Sequence, residues 1–390
     1  MNTVTLQTIL QQFWTSVFPT RSFLPSATRK VVNALIMCRT EWLGAHRYTC
    51  DSPECNMSMW VHNSCGNRHC PQCQALARAR WVRQRLGDLL PVHYFHIVFT
   101  LPQELRPIVR ANMRICYRLL FKAASETIVT LAADKKRLGG SAGLILMLHT
   151  WTGRLTFHPH LHGLIPGGVL SPDKKRWIAA PEKFFLPVGV VAAMFKGKYM
   201  AFLKDAYNKG LINVQPACFS KVVKQVYELK WHVYLESTLK SPIYVVKYLG
   251  AYANRVAIAN TRIVAAKNDI VRFSYYDRKS KSTRMEKLDA VTFIQRFVQH
   301  ILPQGLVKIR YYGILANRVR DNVLPICRDL LEKELPHLAK WLRITVAGEL
   351  LKVVAAPKGR LCPVCNAGHL QITGWNDGLV KRVGANRGSD

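Results

Sequence analysis

The sequence predicts an α+β protein in which a central antiparallel sheet, flanked by helices, is joined to a small cysteine-rich segment. Strand-like and helical segments alternate between residues 94 and 209. Two of the strands, at 144–151 and 159–165, are separated by a short turn at 152–154, which is typical of an antiparallel hairpin. Closely spaced cysteine pairs precede the first of these strands.

The composition indicates the class of protein and its partner. A chain of 390 residues can form two or three domains, and 49% hydrophobic with 20% charged residues is typical of a globular protein. The 56 Lys and Arg residues against 23 Asp and Glu give a net charge of +33, which favours a polyanionic partner. We therefore expect the partner to be nucleic acid, because each neutralised phosphate releases counterions.

Nothing in the sequence predicts a membrane protein. No apolar run reaches the roughly 18 residues of a spanning helix, and residues 1–12 lack the basic start and apolar core of a signal peptide. We therefore expect a cytoplasmic protein that is associated with the nucleoid when bound to DNA. In that reducing compartment the 11 cysteines are thiols or metal ligands and not a disulfide framework.

The cysteine-rich segment predicts structural Zn²⁺. Two cysteine pairs lie between residues 50 and 73, one spaced Cys-x4-Cys and the other in a tight Cys-Pro-x-Cys turn, and together they match a site of four thiolates. The expected ligands are Cys50, Cys55, Cys70 and Cys73. The spacing also permits Cys65 or His69 to displace one of the four. Such a metal would stabilise a segment that is too small for a core of its own.

Helices are predicted on both sides of the cysteines. Residues 4–18 and 31–42 carry apolar side chains at helical spacing and are assigned to packing. Residues 75–90 are expected to form a helix with four arginines around Trp81. These arginines are either a phosphate-contacting arm or a solvated helix face, and they are Arg78, Arg80, Arg83 and Arg85.

The predicted hairpin carries a pair of histidines. Its second strand reads Pro159-His160-Leu161-His162, and both imidazoles point to the same face because successive side chains alternate in a strand. Two imidazoles placed in this way can chelate one divalent metal and leave positions open for a substrate phosphate. On spacing alone, the alternative is a half-buried strand with histidines on a solvated face.

Two further histidines are candidates for a third metal ligand. His149 is the first choice because its strand is the expected neighbour of the paired histidines. His158 has the same alternation phase as the pair, but Pro159 bends the chain between them.

A tyrosine repeat lies in a helical pattern between residues 241 and 260. Tyr244, Tyr248 and Tyr252 recur at every fourth residue, so their hydroxyls are expected along one helix face. Packing is the alternative interpretation of such an aromatic stripe. The flanking Lys247 and Arg255 favour a surface that faces phosphate.

The C-terminal third contains two further patterns. Residues 308–320 interleave basic and aromatic side chains, as grooves for single-stranded nucleic acid do. Cys362-Pro363-Val364-Cys365 is a second metal-knuckle spacing with no matching pair nearby. It is either half of a site completed from a distance or a pair of unmetallated thiols.

These residues together suggest one reaction. A metal held by His160 and His162 would polarise a phosphodiester while a tyrosine attacks phosphorus. The products would be a 5′-phosphotyrosine link and a free 3′-hydroxyl, so the bond is retained for rejoining. A second tyrosine four residues along would allow two such links and hence strand exchange.

At this point the sequence resembles the rolling-circle (HUH-type) transposases of the insertion sequence 91 family. The resemblance covers roughly residues 30–320. Its motifs, in order, are Ser64-Cys65-Gly66-Asn67-Arg68-His69-Cys70-Pro71-Gln72-Cys73-Gln74, Phe99-Thr100-Leu101-Pro102, Arg137-Leu138-Gly139-Gly140, His149-Thr150-Trp151, His158-Pro159-His160-Leu161-His162, Tyr248-Leu249-Gly250-Ala251-Tyr252 and Tyr312-Gly313-Ile314-Leu315-Ala316-Asn317-Arg318.

The resemblance implies a specific enzyme. Its catalytic domain would be an HUH endonuclease with a five-stranded antiparallel sheet. His160 and His162 would bind Mg²⁺ or Mn²⁺, and Tyr248 and Tyr252 would be the nucleophiles. Tyr244 falls outside the family pattern and is assigned to packing. The implied activity is cleavage and rejoining of single-stranded DNA at the ends of an insertion sequence.

We therefore divide the sequence into five segments. They are N-terminal helices (1–45), a zinc-binding domain (46–90), the HUH catalytic domain (91–262), a basic DNA-contacting part (263–345) and a tail with Cys-x-x-Cys (346–390). An oligomer is compatible with this organisation. The alternative functions are a zinc-dependent DNA-binding protein without catalysis, and an HUH replication initiator or relaxase.

Overall fold

The computed structural model describes residues 4–17, 24–239, 256–277, 279–354 and 360–378. The packing separates the chain into two units. Unit 1 contains residues 1–77, 258–301 and 348–390, and unit 2 contains residues 78–257 and 302–347. Each unit is assembled from separated stretches of chain, so the five-segment division stays a prediction.

The elements below are numbered in chain order within the described residues. The helices are α1 (Leu6–Val17), α2 (Ser26–Ile36), α3 (Gln74–Leu86), α4 (Arg106–Ala111), α5 (Met113–Ala133), α6 (Val188–Asn208), α7 (Pro216–Glu228), α8 (Ala290–Val298), α9 (Asn317–Glu334) and α10 (Pro336–Val354). The strands are β1 (Ala45–Cys50), β2 (Ser58–His62), β3 (Tyr94–Thr100), β4 (Gly143–Trp151), β5 (Phe157–Pro166), β6 (Gly168–Leu170), β7 (Trp177–Ala179), β8 (Val233–Leu239), β9 (Ile263–Lys267), β10 (Ile270–Asp277), β11 (Ser282–Asp289), β12 (Ile309–Gly313), β13 (Arg360–Leu361) and β14 (His369–Asn376). Among the described helices, none is both long and apolar enough to cross a membrane.

Unit 2 is built on a sheet of five antiparallel strands in the order β12-β4-β5-β3-β8. The predicted hairpin forms its centre as β4 and β5. Alternation divides each strand between two faces. On the first face the side chains are apolar and fully buried, as in Phe95, Ile97 and Phe99 of β3 and Leu146 and Leu148 of β4.

The two long helices α5 and α6 cover this first face. Both helices contribute large side chains to the core of the sheet, such as Tyr117 and Phe121 from α5 and Phe195 and Tyr199 from α6. Because only one face is occupied by this helical layer, the opposite face is left for other groups. The predicted α+β class with a central antiparallel sheet and flanking helices is therefore confirmed.

Unit 1 contains two smaller sheets. One has the order β13-β14-β1-β2 and joins strands from both the N-terminal and the C-terminal parts of the chain. The other has the order β11-β10-β9 and packs against α8, where Phe273 contacts Phe293. Asp289 is the N-cap of helix α8, because its carboxylate accepts a hydrogen bond from the backbone N–H of Thr292. Helix α1 packs on α2 and α8.

Candidate active site and zinc-binding domain

Three histidines converge on the second face of the unit 2 sheet. His149 on β4 lies opposite His160 on β5, and His162 follows two residues later on the same face. One ring nitrogen from each of the three lies within 4.8 Å of the others. His149 and His162 are only 3% and 5% exposed, whereas His160 is half-buried, so the cluster opens to solvent on one side. The structure thus brings together the three imidazoles that the sequence singled out.

Hydrogen bonds orient two of these rings. Nδ1 of His160 lies 2.7 Å from the backbone carbonyl of His158, which requires a proton on Nδ1 and leaves Nε2 as a lone-pair donor. Nδ1 of His162 lies 3.0 Å from Nε2 of His96, a residue on the neighbouring strand β3. Nε2 of His160 and Nε2 of His162 then face one another at 3.2 Å.

This donor set fits a divalent cation. Two ligands at right angles, each about 2.1 Å from an octahedral ion, are about 3.0 Å apart, which agrees with the 3.2 Å between the two Nε2 atoms. His160, protonated on Nδ1, directs the lone pair of its Nε2 toward Nε2 of His162. In the tautomer of His162 that carries its proton on Nδ1, a cation at this position would be bound by both Nε2 atoms. The buried nitrogen cluster on a rigid sheet can therefore hold an ion with positions open on its solvent side.

His158 lies outside this group. Its Nδ1 is 3.0 Å from Nη2 of Arg106, and its ring is therefore engaged as an acceptor. Burial, together with the Arg106 cation, lowers the pKa of His158 to about 4, so the ring is neutral at physiological pH. Of the two candidates for a third ligand, only His149 joins the paired histidines.

The predicted nucleophiles, Tyr248 and Tyr252, lie outside the described residues. The same holds for the predicted DNA contacts Lys247 and Arg255.

The cysteines form two clusters. In the first, Cys38 Sγ is 3.6 Å from Cys73 Sγ and 3.7 Å from Cys70 Sγ, and Cys65 Sγ is 3.7 Å from Cys73 Sγ. Four sulfurs at the corners of a tetrahedron, each about 2.3 Å from a zinc ion, are about 3.8 Å apart. The separations therefore match zinc coordination, whereas a disulfide would require about 2.05 Å.

The predicted grouping of zinc ligands is corrected by this arrangement. Cys70 and Cys73 join Cys38 and Cys65, whereas Cys50 and Cys55 join a different group with Cys362 and Cys365. Cys65 was predicted only as a substitute, and His69 is not part of either group. The reason is physical: spacing identifies a pair of ligands on one turn, but it does not show which distant pair the fold brings to it.

The arginines of the predicted phosphate-contacting arm differ in their exposure to solvent. Arg80 and Arg83 on α3 are exposed, as a phosphate contact requires. Arg85 is instead turned inward, where it pairs with Asp88 at 3.0 Å and lies over the ring of Tyr311. The side chain of Arg78 is not described.

Two functional candidates were missed by the sequence reasoning. His96 has a detectable signal, because its phase in the aromatic strand β3 places it on the face opposite Phe95 and Ile97. Cys38 has a weaker signal, since it follows helix α2 as a lone cysteine outside the paired motifs. Its role depends on the fold returning the end of α2 to the Cys-Pro-x-Cys turn.

Two family models match separate parts of the chain. A family model described as "Putative transposase" matches residues 143–322, and one described as "Transposase zinc-binding domain" matches residues 9–101. The chain is 37% identical over 366 residues to the protein named "Putative transposase y4qJ" of Sinorhizobium fredii, with 92% of each chain covered. It is 28% identical over 321 residues to the transposase for insertion sequence element IS801 of Pseudomonas savastanoi pv. phaseolicola, with 79% of this chain and 75% of that protein covered. No solved structure matches. The chain therefore belongs to the insertion sequence 91 family of transposases, and its role as a DNA-binding, DNA-cleaving enzyme follows from that membership.

Proposed function

We propose that this transposase nicks and rejoins single-stranded DNA at the ends of an insertion sequence through 5′-phosphotyrosine intermediates. The result is DNA transposition of the rolling-circle type. The observation that carries the proposal is the convergence of His149, His160 and His162 on the second face of the sheet. The protein would act in the cytoplasm, on DNA of the nucleoid.

The three imidazoles would hold the catalytic Mg²⁺ or Mn²⁺. When bound there, the ion supplies Lewis-acid polarisation of the scissile phosphate. The chain itself contributes rigidity, because two of the rings lie on β5 and the third on the paired strand β4. His96 and the carbonyl of His158 hold the two β5 rings in orientations that direct Nε2 toward the shared position.

The nucleophile would be the phenol oxygen of Tyr248 or Tyr252. This oxygen attacks phosphorus, the bond from phosphorus to the 3′-oxygen breaks, and the phenol loses its proton while the 3′-oxygen gains one. One phosphodiester is exchanged for another and no water is consumed. The 3′-hydroxyl of a second strand can then reverse the step. Two tyrosines allow two strand ends to be held at once.

Single-stranded DNA is the proposed substrate. The net charge of +33 supplies the cationic surface that tracks a phosphate backbone. Exposed Arg80 and Arg83 on α3 are proposed phosphate contacts.

A covalent-adduct assay tests the proposal. Purified full-length protein is incubated with a labelled single-stranded oligonucleotide of the element's end and Mn²⁺, and denaturing electrophoresis detects a DNA–protein link. We expect the adduct to vanish in the combined Tyr248→Phe and Tyr252→Phe variant and to persist in Tyr244→Phe. An undiminished adduct in the double variant would show that another residue is the nucleophile.

A further inference from the structure

We infer that the chain contains a second structural zinc site, in which Cys50 and Cys55 of the N-terminal zinc-binding domain are completed by Cys362 and Cys365. This site would fasten the C-terminal strands β13 and β14 to β1. It is independent of the catalytic proposal, because it concerns the other unit of the chain.

The sulfur geometry is that of a tetrathiolate. Cys50 Sγ lies 3.6 Å from Cys365 Sγ, and Cys55 Sγ lies 3.7 Å from Cys362 Sγ. All four sulfurs lie within 4.8 Å of one another. As in the first cluster, these values approach the edge of about 3.8 Å of a zinc–sulfur tetrahedron and are far longer than a disulfide.

Backbone N–H groups point at the sulfurs as they do around a bound thiolate. The N–H of Ser52 donates to Cys50 Sγ at 3.4 Å, and the N–H of Gly368 donates to Cys365 Sγ at 3.3 Å. In the first cluster the N–H of Asn67 donates to Cys65 Sγ at 3.5 Å, again two residues after the cysteine. Such bonds stabilise the negative charge that four thiolates place on a zinc site. The two clusters are therefore built in the same way.

The chain around the second cluster is shaped to let the sulfurs meet. A Cβ on Gly368 would lie 2.4 Å from Cys50 Sγ, so only glycine lets the strand approach this closely. Asp51 ties the two segments together: its backbone N–H donates to the carbonyl of His369, and its Oδ1 accepts from the N–H of His369. Strand β14 then pairs with all six residues of β1, from Ala45 to Cys50.

Hydrophobic burial does not explain why strands β13 and β14 associate with β1. Ile372 and Trp375 of β14 are 55% and 75% exposed, and Trp60 of β2 is 50% exposed, whereas Cys362 is fully buried. A four-stranded sheet with so many exposed apolar side chains lacks the core that would hold an edge strand pair by itself. The ligand pairs are also 315 and 307 residues apart, so closing this loop costs chain entropy that a metal offsets.

Zinc stoichiometry is the direct test. We expect elemental analysis of full-length protein, purified with a thiol reductant, to find two zinc ions per chain. The combined Cys362→Ser and Cys365→Ser variant should retain one, and exposed Cys218→Ser should retain two. A single zinc in the unaltered protein, or two in the double variant, would overturn the inference.

A glycine pair separates loss of the site from general misfolding. Gly368→Ala should remove one zinc because its methyl group collides with Cys50 Sγ, whereas Gly374→Ala, with its nearest atom 3.6 Å away, should keep both. Loss of one metal should also expose residues 360–376 to limited proteolysis, while the first zinc keeps the N-terminal part protected. Retention of two zinc ions and full protection in Gly368→Ala would contradict the proposed site.

Discussion

Nε2 of His96 lies 3.0 Å from Nδ1 of His162, and the planes of the two rings are nearly parallel, with an interplanar angle of 8°. His96 on strand β3 thus orients the candidate metal ligand His162 on the neighbouring strand β5. A ligand held by a second imidazole keeps its tautomer and orientation, and outer partners of this kind commonly influence metal affinity.

The first prediction concerns this support. His96→Leu should weaken Mn²⁺ binding to the histidine cluster by about 10–100-fold, because His162 loses the partner that sets its tautomer. His96→Gln, which keeps a hydrogen-bonding amide, should restore part of the affinity. Calorimetric titration with Mn²⁺ measures the effect, and exposed His232→Ala is the control. Equal affinity in His96→Leu and the unaltered protein would remove His96 from the site.

The second prediction concerns Cys38, which the sequence did not pair with any motif. Cys38→Ser should cost the first cluster its zinc and lower the melting temperature of unit 1, because three remaining thiolates no longer complete the tetrahedron. Zinc analysis and thermal unfolding followed by circular dichroism provide the measurement. Cys218→Ser, an exposed cysteine outside both clusters, should behave like the unaltered protein. Full zinc retention in Cys38→Ser would mean that another group is the fourth ligand.

The third prediction uses two glycines of unit 2. A Cβ on Gly163 would lie 2.6 Å from Ile97 Cγ2 and 2.8 Å from Leu146 Cδ2, in the packed centre of the sheet. Gly163→Ala should therefore lower the free energy of unfolding by about 1–3 kcal/mol through overpacking. Gly197→Ala, within α6 and with nothing within 4 Å, should raise it by about 0.5–1 kcal/mol. Denaturant titrations compare the two, and a neutral Gly163→Ala would contradict the packing described.

The fourth prediction separates DNA binding from stability along α3. Arg80→Gln with Arg83→Gln should weaken binding to single-stranded DNA and make the salt dependence of log K shallower by about 0.7 for each phosphate that is no longer neutralised. Arg85→Gln should mainly lower the melting temperature, since Arg85 pairs with Asp88. Fluorescence anisotropy across a salt series distinguishes these outcomes. An unchanged slope in the double variant would assign Arg80 and Arg83 to a solvated face.

The fifth prediction concerns pH. Burial lowers the pKa of His93 below the ordinary value of 6.5, although the nearby Glu182 carboxylate opposes the shift. Below pH 6.5 the unfolded chain therefore binds a proton at His93 more readily than the folded chain does. The contribution of His93 to the free energy of unfolding is fully present above pH 6.5 and is lost as the pH falls below it. His93→Phe should lose less stability than the unaltered protein between pH 6.5 and 5. Thermal unfolding at several pH values measures the difference, and parallel curves would contradict it.

Strand assignment was the part of the fold that the sequence predicted best. Two strand-like segments, at residues 144–151 and 159–165 around the short turn at 152–154, predicted the β4–β5 hairpin. The shared face of His160 and His162 followed from the alternation of side chains along a strand. The same logic supported His149, since antiparallel neighbours share a face. It extends to His96, although the strand that carries His96 was not connected to the hairpin until the fold placed β3 beside β5.

By itself the sequence determined which local groups exist: the alternating strands, the cysteine knuckles and the basic charge, all of which depend on residues close together in the chain. The tertiary structure decided which cysteines come together in one cluster. Cys38 completes the cluster of Cys65, Cys70 and Cys73, while Cys362 and Cys365 return to Cys50 and Cys55. Local spacing carries no information about partners hundreds of residues away, because strand pairing and core packing bring those partners together only in the folded chain.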